Sequence, residues 1–303
     1  MAFRGHDESS TSLNRRNFLE MIDWYKDKNE IVRKAFSRGA MNCKMTSPNI
    51  QKDIARCCAD VIMGDIKDRN FSILIDESRD ISVKEQMAVM LRYVDVKGKV
   101  VERLLTLHHV VDTTSEALKK RYKYSSCYGA NRFGESTIEI LTCFSCLDPK
   151  NNFSRFDIDS LVRGAQIYDA DFSTSDFAQI RQQLQTYILQ VRRHAAFSTC
   201  TDIASLASKM VETEKHKVFR LVYRLIELAL ILPVSTASVE RAFSAMKIIK
   251  TNLRNKMADE WFNHLVVCYI EREIFKELDD STILRRFQGM KTRKLNLPRS
   301  LPS

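Results

Sequence analysis

Phe71-Ser72-Ile73-Leu74-Ile75-Asp76-Glu77-Ser78 is the stretch on which the fold turns. Its apolar run is too brief for a helix and closes on polar residues, the pattern of a strand running into a turn. Met87 to Val94 and Val100 to Val111 follow, separated by Asp95-Val96-Lys97-Gly98-Lys99, a connection of hairpin type. The reading is three consecutive antiparallel strands.

Everything around those strands has a helical period. Met1 to Ser12 is polar and reads as a flexible N-terminus; Leu13 to about Phe36 repeats apolar residues near 3.6. Ser47-Pro48 announces a second helix, with Ser as N-cap and Pro at the first helical position. Thr113 to Lys120 supplies a cap and starts a short helix, and Tyr122 to Asn131 has neither period and reads as an irregular junction. Beyond it come Phe133 to Cys146, Asp157 to Tyr168, Ser175 to Val191, Asp202 to Met210, Lys215 to Leu232, Ala237 to Lys250 and Met257 to Leu278, all helical. The expected fold is therefore α+β and mainly helical, with a three-stranded antiparallel sheet and an all-α C-terminal block. The expected divisions are 1–12, 13–121, 122–197, 198–280 and a basic tail over 281–303.

Composition agrees with a globular chain. Hydrophobic residues make up 44% of 303, and the 8 Gly and 5 Pro are too few for an all-β sandwich or a low-complexity segment. Lys and Arg exceed Asp and Glu by 48 to 38, a balance that favours a polyanionic partner. Much of the excess lies in Arg285, Arg286, Lys291, Arg293, Lys294 and Arg299, in a C-terminal stretch from Ser281 without acids. Eight cysteines are sparse for a disulfide scaffold, and Met1 opens no secretory leader, so a reducing, intracellular setting is expected. The longest apolar stretch, Val218 to Pro233, carries Arg220, Arg224 and Glu227 and falls short of the about 20 apolar residues a bilayer needs, so a soluble protein is expected.

Few residues suggest chemistry. Cys143 and Cys146 have the spacing of half a zinc site, but no second pair follows, and on a helix with Ile138, Ile140, Leu141 and Phe144 they read as small core residues. His108 and His109 are adjacent on a strand and face opposite ways. No phosphate loop, dinucleotide fingerprint, HExxH or GxSxG occurs. Two acids stand out. Asp76 closes a strand and would project from a rigid sheet; Glu240 lies near the start of a helix, directly after Leu232-Pro-Val-Ser-Thr-Ala-Ser-Val239. Each also has an ordinary explanation, as a turn residue and as a helix first-turn acid favoured by the dipole.

Taken together, Phe71 to Ser78 and Leu232-Pro-Val-Ser-Thr-Ala-Ser-Val-Glu-Arg-Ala-Phe-Ser-Ala-Met-Lys247 resemble two sequence blocks of hAT-superfamily transposases, in particular plant proteins related to zinc-finger MYM-type sequences. Ser198 through Leu278 resembles the hAT C-terminal dimerisation region. The resemblance implies an RNase H-like fold, a divalent-metal site of Asp, Asp and Glu, and a dimerising C-terminal block. Asp76 stands at the position of the first acid and Glu240 at that of the last. Nothing between Arg121 and Phe133 resembles the segment with the middle Asp; Tyr128-Gly-Ala-Asn131 lacks it. Two-metal strand transfer holds its ions about 4 Å apart and needs ligands for both.

The expectation is a transposase-derived, catalytically inactive protein with an internally deleted, truncated RNase H-like domain, whose surviving property is self-association or pairing with a related hAT-type protein. No metal, cofactor, membrane or small-molecule substrate is expected. In the last long helix Trp261, Phe262, Leu265, Val266 and Tyr269 cover more than one intramolecular contact needs, so either the core wraps them or a second subunit does; they are the expected dimerisation anchors. One rival is a Mg2+- or Mn2+-dependent transposase or nuclease in which Asp80 or Asp112 replaces the missing acid. Another is a nucleic-acid binder using Arg285, Arg286, Lys291, Arg293 and Lys294 of the tail, to which Lys291-Thr-Arg-Lys294 would add a nuclear address.

Overall fold

The computed structural model describes residues 17–38, 46–64, 69–110, 135–232, 237–251 and 257–291. Among them the fold is α+β and mainly helical, with one three-stranded antiparallel sheet and helices throughout the C-terminal half. Helices α1 (Asn17–Lys28) and α2 (Glu30–Arg38) replace the single helix expected near the N-terminus; the chain breaks at Asn29, whose side chain accepts from Val32 N–H. Helix α3 (Pro48–Met63) begins as read, with Ser47 Oγ accepting from Ile50 N–H.

Strands β1 (Phe71–Arg79), β2 (Glu85–Val94) and β3 (Val100–His109) run in sheet order 1-2-3. Asp76 lies inside β1 opposite Ala88, because the ladder continues to Arg79 opposite Glu85. The β2–β3 turn is the predicted one, with Gly98 at φ 75°. A Cβ there would lie 2.7 Å from Ala207 O, so close packing as well as the dihedral requires glycine. The expected helix at Thr113 to Lys120 and the junction at Tyr122 to Asn131 lie outside the described residues.

The helical half comprises α4 (Glu135–Ser145), α5 (Ile158–Ile167), α6 (Thr174–Arg193), α7 (Ile203–Glu212), α8 (Arg220–Ile231), α9 (Ala237–Ile249), α10 (Asp259–Ile270), α11 (Arg272–Glu277) and α12 (Asp280–Met290). Two predicted long helices are broken. Phe219, buried against Tyr187 with ring centroids 5.5 Å apart, separates the turn Lys215–Val218 from α8. Glu271 separates α10 from α11. The first part of the stretch expected to be a tail, through Met290, is instead helix α12, because Phe287 is buried and the helix packs along α3; residues 292–303 lie outside the described residues.

Two cores result. Leu74, Ala88, Met90, Leu104 and Leu107 on one sheet face pack with Ala55 and Ala59 of α3 and with the apolar sides of α9 and α10. Helices α4 to α8 form the other core around Leu161, Leu184, Tyr187, Leu206, Leu225 and Ile226, with Cys146 part of it. The cores meet at the end of β2, where Val94 joins the helical core and Arg92 Nε donates to Leu230 O at 2.7 Å.

Candidate functional site

Alternation along β1 puts Ser72, Leu74 and Asp76 on the sheet face that α9 covers. Asp76 is half-buried, and its Oδ1 accepts from the next residue's own Glu77 N–H at 2.9 Å. Glu240 is in the first turn of α9. Val239, Ala242, Phe243 and Met246 form the buried side of that helix, while Glu240, Ser244 and Lys247 are exposed. The two elements are packed together, yet Glu240 presents its carboxylate to solvent rather than to the sheet. Among the described residues no group of three His, Cys, Asp or Glu side chains could hold a metal ion.

Asp80, offered above as a substitute third acid, is committed elsewhere. It is buried in the β1–β2 turn, where Oδ1 accepts from Ser82 N–H (2.7 Å), Ser82 Oγ–H (2.7 Å) and Lys84 N–H (3.1 Å). Oδ2 accepts from Gln86 Nε2 (3.0 Å) and Lys250 Nζ (2.5 Å). Five donors occupy both oxygens, which corrects the metal-ligand expectation for this residue. The turn they shape places Val83 at φ 62°, a costly conformation for a β-branched side chain. Burial pushes the Asp80 carboxyl up, but the bonds from Lys250, Ser82 and Lys84 outweigh it and hold the group well below the usual carboxylate range. Lys250 is itself 1% exposed, and its ammonium sits 5.3 Å from the Phe262 ring centroid. Asp112 lies outside the described residues.

The expected dimerisation anchors require a second correction. Trp261, Phe262, Leu265 and Val266 are buried within one chain and Tyr269 is half-buried, packed in the core formed with α3, α9 and the sheet. The wide apolar arc of α10 is accounted for by partners on three sides. The polar residues of this segment are used too. Asn263 Oδ1 accepts from Leu107 N–H at 2.7 Å; Glu271 Oε1 accepts from Leu104 N–H at 3.2 Å and its Oε2 from Arg103 Nη1 at 2.8 Å. Both backbone donors belong to β3, and Leu104 sits where the β2–β3 register shifts between Val89 and Met90. A bulge frees an N–H from the ladder, and the buried Glu271 answers it.

Sequence reading missed Asp80–Lys250, Asn263 and Glu271, because each pairs with residues more than 100 positions away. It also left the basic C-terminal residues open. Arg286 is paired with Asp60 at 2.5 Å and Lys291 with Asp53 at 2.8 Å, both on α3, so two of the five proposed phosphate contacts are neutralised within the chain. Arg285 is exposed; Arg293 and Lys294 lie outside the described residues.

At the surface of the same region, Val218 is 66% exposed and Ile248 60% exposed. Val218 borders a shallow groove lined by Gln179, Gln182, Gln183 and Thr186 of α6 together with Phe219. Ile248 stands with Ser244 and Lys247 on the outer face of α9. No helix among the described residues is long and apolar enough to cross a membrane.

Comparison with known families gives two matches. Residues 1–128 match the model described as ZMYM1/FAM200, RNase-like domain, and residues 197–274 match the hAT family C-terminal dimerisation region. The second stretch begins just past α6, at Phe197, and runs through α7 to α10 and part of α11, and so spans both cores. No solved structure matches.

Proposed function

We propose that this chain, which its two family matches mark as derived from a hAT transposase, works as a self-associating protein without strand-transfer chemistry. The observation that carries the reading is the match of residues 197–274 to a dimerisation region. The buried face of α10 holds the fold together, so self-association falls to what that region leaves at the surface, around Val218 and Ile248. An exposed apolar side chain flanked by polar residues is suited to a modest interface, where a few contacts dominate the binding energy.

Catalytic silence is supported by the departure of the sequence between Arg121 and Phe133 from the family pattern, consistent with an internal deletion. The outward placement of Glu240 and the saturation of Asp80 agree with it. We assign the protein to the nucleus on its basic C-terminal residues.

Sedimentation velocity on the full chain tests the association. Wild type should sediment as a dimer at micromolar concentration, and Val218→Asp or Ile248→Asp should shift it to monomer while leaving the fold intact. Dimers unaffected by both substitutions would remove these two positions from the account. Incubating plasmid DNA with the protein in Mg2+ or Mn2+ should give no nicking; nicking that disappears in Asp76→Ala would establish the enzyme reading instead.

A further inference from the structure

We propose that the bent helix formed by α1 and α2 pairs antiparallel with the same helix of a second copy of this chain. Its two limbs, of 12 and 9 residues, run on from one another. Asn29 N–H donates to Tyr25 O at 2.9 Å and Arg33 N–H to Asn29 O at 3.0 Å, so helical bonding continues through the bend. Among the described residues α1 packs on α2, and neither makes a comparable contact with another element. Helical limbs this short are marginal in water without a packed face.

A face for such packing is present and uncovered. Met21, Trp24, Tyr25 and Ile31 are exposed, Trp24 by 58% and Ile31 by 80%, and with Lys28 they recur at steps of three and four along one side. Leu19 and Ile22, which are half-buried, fall on a different side of α1. Trp, Tyr and Met are residue types enriched at the centres of protein contacts.

Charge selects the occupant. The limb α1 carries Glu20, Asp23 and Asp27 against Lys26 and Lys28, whereas α2 carries Arg33, Lys34 and Arg38 against Glu30. Four acids interleaved with the bases oppose a phosphate backbone or an anionic lipid surface. A two-fold axis near the bend instead sets the acidic limb of one copy beside the basic limb of the other, and the apolar stripe becomes its own complement. The pairs Asp23–Lys26 and Glu30–Lys34 lie within the helix at the surface, so exchanging them for pairs between copies costs little.

This helix lies within residues 1–128 and outside the stretch 197–274 that matches a dimerisation region, so the contact is additional to the one around Val218 and Ile248. It rests on the self-association read there, because chains already held together raise the effective concentration of the two helices.

The test mixes light and 15N-labelled full-length chains at micromolar concentration and joins carboxylates to neighbouring lysines with a water-soluble carbodiimide. The expected result is a mixed-isotope peptide linking Asp23 of one copy to Lys34 of the other. Ile31→Asp, which substitutes a residue the fold leaves exposed, should abolish that link and weaken the dimer about tenfold. A dimeric mass without mixed-isotope links in this helix, or with links that survive Ile31→Asp, would overturn this contact while leaving self-association standing. Mixed-isotope links of Asp23 to Lys26 in place of Lys34 would overturn the antiparallel arrangement. A mass of one chain at every concentration would remove the self-association itself, and this contact with it.

Discussion

The seam where α9 and α10 meet the sheet and the place of the two motif acids, Asp76 within β1 and Glu240 on α9, lie in one layer, yet their polar groups differ in kind. At the seam, Lys250 binds Asp80, Glu271 binds Arg103 and Leu104 N–H, and Asn263 binds Leu107 N–H, all buried or half-buried and all across long stretches of chain. At the other place, Asp76 bonds to its neighbour's amide and Glu240 faces water. The difference teaches that the polar residues of this chain are organised to hold a helical wall on a sheet. The motif acids are not held by anything comparable.

The contrast breaks most readily at Lys250. Lys250→Met should cost about 3–5 kcal/mol in urea denaturation, since it strands a buried carboxylate. Adding Asp80→Asn should recover most of the loss. The same pair sets acid behaviour. With its folded pKa depressed, Asp80 contributes stability that is present above its unfolded value of about 3.9 and is lost as pH falls below it. The double variant should therefore show a flatter decline in stability below that pH than wild type.

Glu271→Ala comes next, at about 3 kcal/mol, because it leaves Arg103 and the Leu104 amide unanswered. Glu271→Gln, which keeps an acceptor, should lose less than Glu271→Ala. Asn263→Ala removes one acceptor from Leu107 N–H and should cost roughly 1–3 kcal/mol. The smallest effects sharpen the comparison: Asp76→Asn and Glu240→Gln should each stay within about 0.5 kcal/mol of wild type. An Asp76 or Glu240 effect as large as that of Glu271→Ala would erase the distinction between the two places.

What could be read from the sequence follows from the range of the interactions. The apolar run of Met87 to Val94 and the Gly98 turn are local, and both were legible. The end of β1 was not, because Asp76-Glu77-Ser78 has turn composition and only pairing with Gln86, Met87 and Ala88 makes it strand. The breaks at Phe219 and Glu271 escaped for the same reason: nothing nearby forbids helix, and each residue is held by a distant partner, Tyr187 in one case and β3 in the other. Charge misled at the C-terminus, where Arg286 and Lys291 suggested a solvated tail but Asp60 and Asp53 wait for them on α3. The arc of Trp261, Phe262 and Val266 was correctly seen as too wide for one contact; its partners proved to be three elements of the same chain.

The mass of the full chain by light scattering at micromolar concentration tests the central claim of self-association most directly. The account predicts twice the 35.1 kDa of one chain, returning to one in Val218→Asp or Ile248→Asp. A wild-type mass of one chain at every concentration would contradict it.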